Sequence, residues 1–256
     1  MLTLEQLHQF SRQLKIHPVV VAREYTQLIF LDQLYGQLFS KHLIFKGGTA
    51  IRLIYGGSRF SEDLDFTVHL TQKSFTSKFK IFIGQFANLY KVEFRQLNSL
   101  AGVSWRIRAT TALKQPIFVR LDFSFRNKVI NFQPSIPKAP NYPFTPTNLI
   151  LVMSKEEILA EKLRAIMHRK KQRDIYDLWL LLTLNTKVNP EVIRAKFASF
   201  DEEFSLIKFK QRLRQFDQDS FKKDLSQFLP LNQRQNVDVL YQTIMMYLDK
   251  NFNPKI

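Results

Sequence analysis

The spacing of apolar residues changes twice along this chain, and these changes limit the folds open to it. Leu4, Leu7, Phe10 and Leu14 recur at helical spacing, and a broad apolar stripe follows over 19–39. Short segments rich in β-branched and aromatic residues come next, several with two-residue alternation, at 59–68, 91–97, 105–111 and 117–125. From Ser154 the spacing is helical again. The pattern predicts an α+β fold, in which a mixed β-sheet flanked by helices precedes an all-helical C-terminal unit.

A proline-rich segment separates the two parts. Five of the ten prolines fall at every third position from 134 to 146, so a polyproline II helix would carry them on one face. We predict an extended connector over 134–147, between an N-terminal part at 1–133 and a helical domain at 148–256. A ligand for a proline-recognition domain is the alternative. The segment's apolar residues favour packing against the parent protein, and these are Phe132, Ile136, Tyr142 and Phe144.

The composition indicates a globular protein with an anionic partner. Hydrophobic residues make up 45% of the 256 residues, which is enough for a sizeable core. The 38 Lys and Arg against 22 Asp and Glu leave a formal charge of +16, which attracts polyanions such as nucleic acid. The lack of cysteine excludes disulfides, Cys-ligated zinc and thiol catalysis. Because neither a signal-peptide pattern nor a membrane-spanning apolar run is present, we expect a cytoplasmic protein without membrane attachment.

A pair of glycines is the first sign of a phosphate site. Gly47 and Gly48 precede Thr49 and an apolar-periodic segment at 50–54, which predicts a loop that enters a helix. Backbone N–H groups at such a turn can approach a phosphate closely, and the helix dipole favours negative charge. A purely structural turn is the alternative, and the glycines alone favour it.

Two carboxylates follow in the strand predicted over 59–68. Successive side chains of a strand alternate between faces, so Ser61, Asp63 and Asp65 share a face with Arg59. Carboxylates one repeat apart repel each other, and protonation of one or a divalent cation between them relieves the repulsion. Oxygen ligands suit Mg²⁺, which keeps several waters and binds substrate phosphates. A solvated edge strand or a charged turn is the alternative.

A third carboxylate occupies an equivalent place in a later strand. Asp122 is the only acid of the alternating segment 118–125. If this strand neighbours the first, Asp63, Asp65 and Asp122 converge on one surface. Such a set can hold two Mg²⁺ ions, one activating the attacking oxygen and one stabilising a leaving pyrophosphate. A salt bridge from Asp122 to a nearby arginine is the alternative.

These motifs resemble those of a known family. The turn at 47–49 followed by RFSEDLDF at 59–66 is similar to the signature of the AbiEii/AbiGii nucleotidyltransferase-like toxins, members of the DNA polymerase β-type nucleotidyltransferase superfamily. The segments EKLRA at 161–165 and RDIYDL at 173–178 resemble the same family's later motif, in which a lysine and an aspartate complete the active site. The matched segments run from about residue 19 to residue 178. One departure is Thr49, where the superfamily pattern often has serine.

The resemblance implies a nucleotidyltransferase-type sheet and the transfer of a nucleoside monophosphate from an NTP to an acceptor. It implies that Asp63 and Asp65 bind Mg²⁺ and that Lys162 neutralises charge on the nucleotide phosphates. Asp174 or Asp177 would orient that lysine or the acceptor, and both stay candidates because they lie three residues apart on one helix. The nucleotide contacts would come from Gly47, Gly48, Thr49 and Ser61.

The favoured function is that of the toxin in a toxin–antitoxin or phage-defence pair. Some relatives that the chain resembles extend the acceptor end of tRNA. Together with the charge of +16, this makes tRNA the favoured acceptor and translation arrest the favoured outcome. The resemblance also implies a cognate antitoxin, encoded separately in the same operon.

Other interpretations stay open. The acceptor could be a protein or a small molecule, although a basic surface offers no advantage with a small neutral acceptor. The chain could be a nucleotide- or RNA-binding module without turnover, although the intact Asp63, Asp65 and Lys162 argue against this. The charged segment around Lys162 could be a solvated helix face and the basic run at 168–173 an ordinary loop. We favour an active-site role for Lys162 and expect the basic run to contact nucleic-acid phosphates.

Overall fold

The computed structural model describes residues 1–99, 102–126, 128–138 and 140–252, and the chain divides into two compact units, Met1–Met153 and Ser154–Ile256. The elements of the first unit are α1 (Leu4–Leu14), α2 (Pro18–Tyr35), β1 (Leu43–Lys46), α3 (Gly47–Leu53), β2 (Asp63–Val68), α4 (Gln72–Tyr90), β3 (Val92–Leu97), β4 (Gly102–Ala109), β5 (Ile117–Ser124), β6 (Phe132–Ser135) and β7 (Ile150–Met153). Those of the second are α5 (Lys155–His168), α6 (Gln172–Thr183), α7 (Pro190–Ala198), α8 (Leu206–Leu213), α9 (Gln218–Leu225), α10 (Leu231–Arg234) and α11 (Val237–Asn251).

Within the described residues, the first unit is built on a seven-stranded sheet with the order β3-β4-β5-β2-β1-β7-β6. β2 is parallel to β5 and β1 is parallel to β7, while the other neighbours are antiparallel. The predicted mixed sheet flanked by helices is therefore confirmed. β2 begins at Asp63, four residues later than the predicted strand. Arg59 and Ser61, which were predicted to share the face of Asp63 and Asp65, consequently lie outside this strand. Arg59 is buried, and its guanidinium donates to the Phe60 carbonyl at 2.8 Å.

The two faces of this sheet carry different chemistry. One face is apolar and is covered by α4: the rings of Phe66 and Phe123 stack at 4.9 Å, and Phe79 of α4 lies 4.8 Å from Phe123. α2 packs on α4 through Phe30, whose ring is edge-on to Phe82 at 5.6 Å. Burial of these large rings supplies much of the hydrophobic stabilisation of the unit. The opposite face carries acids and arginines on β2 to β5, and these make up the candidate site.

The proline-rich segment packs against α1 and α2 in the first unit. Tyr142 is buried, its ring is edge-on to Phe10 at 4.8 Å, and its hydroxyl donates to Glu24 at 3.0 Å. Further along, the backbone N–H of Thr147 donates to the carboxylate of Asp32 at 2.8 Å. These contacts tie the segment to its own unit.

Two short strands lie at the edges of this segment. β6 includes the first two residues of the predicted connector, 134–147, and β7 lies inside the helical domain predicted over 148–256. β7 nevertheless pairs with β1 and β6, so the first unit extends to Met153. Position 139 of the predicted connector and positions 253–256 of the predicted helical domain lie outside the described residues.

The second unit is helical over its described residues, as predicted. Side chains cap several helices: the hydroxyl of Ser154 accepts from the N–H of Glu157 at the start of α5, and Asn189 caps α7. Prolines lie at two of the helix starts, since α7 begins at Pro190 and Pro230 precedes α10. None of the helices in the described part of the chain combines the length and apolar character that a membrane span requires.

Candidate active site

Three aspartates lie on the polar face of the sheet, where β2 and β5 are neighbours. The parallel register pairs Asp65 with Asp122, and Asp63 with Arg120. Paired residues of neighbouring strands share a face. The fold therefore brings Asp122 beside the two aspartates of β2, which is the condition that the sequence interpretation required.

Asp122 is held by two neighbours on its own face. The hydroxyl of Ser104 in β4 donates to Oδ1 at 2.5 Å, and Nε of Arg120 donates to Oδ2 at 2.8 Å. The hydrogen bond to Asp122 is the main reason that the pKa of Arg120 is raised, and the charges of Asp63 and Asp65 raise it further. The arginine salt bridge that stood as an alternative is thus present. Asp122 therefore forms the salt bridge and also lies beside the aspartates of β2, so the two alternatives do not exclude each other.

An open pocket of about 280 Å³ lies over this part of the sheet. Its lining includes Lys46, Asp65, Ser104, Arg120 and Asp122. Lys46 is the register partner of Asp65 on the β1 side. The volume is just below the range of about 300–1,000 Å³ for small-molecule sites. Carboxylates and cations together in one pocket suit an anionic ligand that is bound through a divalent cation.

The oxygen donors of this face fit a hard divalent cation by their chemistry. Carboxylates are the ligands that Mg²⁺ prefers, and Asp65 and Asp122 face each other on adjacent strands. In the described parts of the chain, no three His, Cys, Asp or Glu side chains are gathered closely enough to hold a metal ion in their present rotamers. The Asp122 carboxylate is turned towards Ser104 and Arg120. Each of its oxygens accepts one of these hydrogen bonds and keeps a further lone pair, with which it could bind a metal ion.

The predicted loop is absent, because β1 leads directly into α3 and the two glycines are the first residues of that helix. This first turn of α3, the Gly47 turn, lies directly against the carboxylates. Gly47 has a φ of +81°, and a Cβ at this position would collide with the carboxylate of Asp65. The buried hydroxyl of Thr49 donates to the backbone carbonyl of Asp63 at 2.5 Å. The turn is therefore fastened to β2 through Thr49, while Gly47 and Gly48 are half-buried.

Ser61 lies in the segment that leads into β2. Its carbonyl and that of Glu62 accept hydrogen bonds from Nε2 of Gln27, at 3.1 and 2.9 Å. Glu62 also pairs with Arg23 at 3.2 Å. Gln27 and Arg23 of α2 thus hold the segment of Ser61 and Glu62 in place, directly before Asp63.

Replacing Gly47 by alanine is expected to destabilise the protein and to lower its activity. A positive φ costs alanine about 1 kcal/mol or more, and displacement of the Asp65 carboxylate adds to this cost. Gly84→Ala is a matched control, because a Cβ on this residue of α4 meets nothing within 4 Å. Alanine in a helix interior should stabilise by about 0.5–1 kcal/mol. Chemical denaturation measures both effects, and a change of the same sign in the two variants would contradict the prediction.

In the second unit, Lys162 lies between two buried aspartates. Its Nζ is 2.9 Å from Asp174 and 2.7 Å from Asp177, and the three side chains are only 11%, 2% and 1% exposed. Arg169 also pairs with Asp174, at 2.7 Å. Both aspartates therefore hold the lysine. A solvated helix face, the alternative for this segment, does not describe Lys162.

Asp174 is expected to make stability fall in acid. Burial alone would raise the pKa of Asp174, but the ammonium of Lys162 and the guanidinium of Arg169 hold it well below its ordinary value of 3.8. A lowered folded-state pKa stabilises the fold above the unfolded-state pKa, and this contribution is lost as the pH falls through the folded-state value. In denaturation experiments from about pH 5 down to about pH 2, Asp174→Asn should lose less stability than the wild type. Parallel losses would contradict this assignment.

The basic run at 168–173 is largely paired within its own unit. The pairs are His168 with Glu202 at 2.8 Å, Arg169 with Asp174 at 2.7 Å, Lys170 with Asp217 at 3.0 Å and Arg173 with Asp224 at 3.5 Å. Their charges are thus partly neutralised locally. This weakens the expectation that the run contacts nucleic-acid phosphates.

The sequence places Arg120 on the same face as Asp122, but sequence reasoning missed two residues of β4. Ser104 and Arg106 lie on that face beside Asp122 and Arg120. The signal that identifies them is the alternation of polar and apolar residues in 104–109 and 117–124. Their meeting also depends on β4 being the neighbour of β5.

Similarity to solved structures supports the fold. The MenT4 nucleotidyltransferase toxin from Mycobacterium tuberculosis H37Rv is 18% identical, with 89% of this chain and 94% of that chain covered and a TM-score of 0.50. A crystal structure from H. pylori described as a nucleotidyltransferase is 20% identical, with 90% and 96% covered and a TM-score of 0.51. At these identities the likeness concerns the fold alone. No curated protein sequence matches the chain significantly.

A family match covers most of the chain. The family described as the nucleotidyl transferase AbiEii toxin of type IV toxin–antitoxin systems matches residues 29–243. The match includes the glycine turn, the aspartates of β2 and β5, and the buried lysine of α5. This chain therefore belongs to the AbiEii family of toxins and is a nucleotidyltransferase.

Proposed function

We propose that the protein moves a nucleoside monophosphate from an NTP to the 3′ end of tRNA in a Mg²⁺-dependent reaction. The observation that carries this proposal is the register of Asp65 with Asp122 on the polar sheet face, beside the Gly47 turn. In the reaction, the acceptor hydroxyl forms a bond to the α-phosphorus and the bond to the bridging oxygen breaks. Pyrophosphate leaves, and the hydroxyl proton passes to solvent.

Asp63, Asp65 and Asp122 are the residues that would hold Mg²⁺. Two bound ions would lower the pKa of the attacking hydroxyl and stabilise the charge of the leaving pyrophosphate. The chain's own contribution is to hold three carboxylates on one rigid face. Ser104 and Arg120 orient Asp122 there through their hydrogen bonds.

The Gly47–Gly48 turn would bind the triphosphate through backbone N–H groups. Absence of a side chain at Gly47 leaves room for the Asp65 carboxylate, and a phosphate can approach the bare backbone. The Thr49 hydroxyl is bonded to the Asp63 carbonyl, so we assign Thr49 the task of fastening the turn to β2. Ser61 is assigned as a further nucleotide contact.

Lys162 would neutralise charge on the nucleotide phosphates. Its ammonium is held in one position by Asp174 and Asp177, at 2.9 and 2.7 Å. A cation that is positioned before the substrate binds costs little reorganisation when negative charge develops. We therefore give both aspartates the role of orienting Lys162.

The acceptor and the biological setting follow from charge and from family. A net charge of +16 favours a polyanionic acceptor over a small molecule or a typical protein. Modification of the tRNA 3′ end would arrest translation, which accords with a toxin. We propose that the protein acts in the cytoplasm, where tRNA and NTPs are found, and is restrained by a cognate antitoxin. We propose that this toxin and its antitoxin act together in phage defence.

The test is to incubate the purified protein with total tRNA, Mg²⁺ and each α-labelled NTP in turn. An Asp63→Ala/Asp65→Ala variant serves as the control. Transfer of label into tRNA by the wild type alone supports the proposal and identifies the preferred nucleotide. If the label enters a protein or a small product instead, that molecule and not tRNA is the acceptor. Failure with every acceptor would support a nucleotide- or RNA-binding module without turnover.

A further inference from the structure

The polar face of the sheet continues past the aspartates as an exposed basic surface on β3, β4 and β5. Arg95, Arg106 and Arg120 are exposed there, one on each strand. The register pairs Arg95 with Arg106 and Arg106 with Arg120, so these three residues form a row, which we call the arginine row. The same register continues to Asp63 on β2. The arginine row therefore leads straight to the candidate active site.

Cross-strand pairs of like charge destabilise a sheet. Arg106 lies between two arginines in the register, and Asp122 neutralises part of the charge of only one of them, Arg120, by pairing with it at 2.8 Å. The repulsion is therefore greatest between Arg95 and Arg106, and this pair is costly for a sheet that serves only as a scaffold. The neighbouring row differs, because there Arg108 is opposite Glu93 and pairs with it at 2.9 Å. An anionic ligand along the arginine row would relieve the repulsion.

The direction of the arginine row indicates which anion it would bind. The sheet order places β2 and its aspartates between β5, where the arginine row ends, and β1, which leads into Gly47. Strands are about 4.8 Å apart, so the row extends about 10 Å from Arg120 to Arg95. An anion that follows the whole row therefore extends well away from the aspartates. A nucleic-acid backbone has this length and its charges repeat.

An exposed aromatic ring lies next to the row. Phe118 is two residues before Arg120 on β5, on the same face, and is 44% exposed. The guanidinium of Arg106 lies 5.8 Å from the centre of its ring. Exposed rings beside cations are the usual platform for unpaired bases.

We propose that the arginine row binds the phosphate backbone of the acceptor RNA and that Phe118 stacks on one of its bases. This rests on the proposed function for its biological role. The docking itself is a binding property that can be measured without turnover. The row and the Gly47 turn would then bind acceptor and NTP from opposite sides of the aspartates.

The test compares two variants that each remove two positive charges. Arg95→Gln/Arg106→Gln removes the two members of the arginine row that are furthest from Asp122. Lys78→Gln/Lys80→Gln is the matched control, because these exposed lysines lie on α4, which packs on the opposite face of the sheet. Binding of fluorescent tRNA is followed by anisotropy without NTP, over a range of salt concentrations.

Loss of two phosphate contacts should weaken tRNA binding about tenfold. The slope of log affinity against log salt should also become shallower by about 1.4, since each single-strand contact contributes about 0.7. The control should bind like the wild type. Phe118→Leu should weaken binding about tenfold with an unchanged salt slope, because stacking is lost while the charges stay. Thermal unfolding of the double arginine variant should occur no earlier than that of the wild type, since repulsion is removed.

Three results would overturn the proposal. They are a wild type that does not bind tRNA, an arginine variant that binds as tightly as the lysine control, and an arginine variant that loses affinity for NTP instead of tRNA. The outcome is separate from that of the proposed function. If the wild type transfers no label but binds tRNA through the arginine row, the docking surface stands and the proposed reaction fails. If the arginine variant labels tRNA as well as the wild type does, the proposed reaction stands and the docking surface fails.

Discussion

Asparagine in place of Asp65 should reduce nucleotidyl transfer by at least about a thousandfold while the protein stays folded. Asp65 is central to the site: in the register it lies between Lys46 of β1 and Asp122 of β5, and it lines the pocket. Asparagine keeps the size and shape of the side chain but removes the charge that would bind Mg²⁺. Initial rates of label transfer over a range of Mg²⁺ concentrations measure the loss.

A matched control is available on the same face of the sheet. Glu93→Gln makes the same carboxylate-to-amide change on β3, where the side chain is 72% exposed and pairs only at the surface with Arg108. Such pairs contribute about 0–1 kcal/mol to stability, so this variant should stay within about twofold of the wild type in rate. Transfer by Asp65→Asn at more than a tenth of the wild-type rate would exclude the metal-binding role.

The local part of the site was predictable from the sequence. A strand has a period of two, so Asp63 and Asp65 could be placed on one face from their spacing alone. The Gly47–Gly48 turn was likewise visible, because glycine in front of an apolar-periodic segment is a local signal. Both features depend only on residues that are close in the chain.

The parts that depend on strand neighbours were not predictable in the same way. Asp122 was a candidate only on the condition that its strand lies beside β2, and the arginine row appears only once β3, β4 and β5 are adjacent. These pairings are set by packing between residues that are far apart in the sequence. The alternation of polar and apolar residues within one strand does not predict which strand lies beside it. The late start of β2, with Arg59 buried before it, shows the same limit.

The sequence pattern of the helical unit also did not predict that charged side chains are buried there. A charged helical segment is compatible with a solvated face or with a buried ion cluster. The packing of α5 on α6 and α7 decides between them: it buries Lys162 with two aspartates and Lys196 with Glu157, at 2.6 Å. Sequence resemblance was the reason to single out Lys162. The resemblance did not reveal that Asp174 and Asp177 both hold it.

Methionine in place of Lys162 is expected to lower the free energy of unfolding of the second unit by about 3–5 kcal/mol. Methionine fills a similar volume but removes the ammonium between Asp174 and Asp177. Two carboxylates, 2% and 1% exposed, would then face each other without it. Lys170→Met is the surface control, because its pair with Asp217 is about half exposed and solvent screening leaves it little effect on stability. Chemical denaturation followed by circular dichroism measures both.

A triple variant separates the structural role of Lys162 from its role in transfer. Lys162→Met/Asp174→Asn/Asp177→Asn removes the whole ion cluster, so no carboxylate is left facing a missing ammonium and most of the lost stability should return. If the ammonium neutralises charge on the nucleotide, this stabilised protein should still transfer label at least about a hundredfold more slowly than the wild type. If stability and transfer return together, Lys162 acts only by holding α5 against α6. The buried ammonium is then explained by its structural role alone, and other residues must neutralise the charge of the nucleotide phosphates.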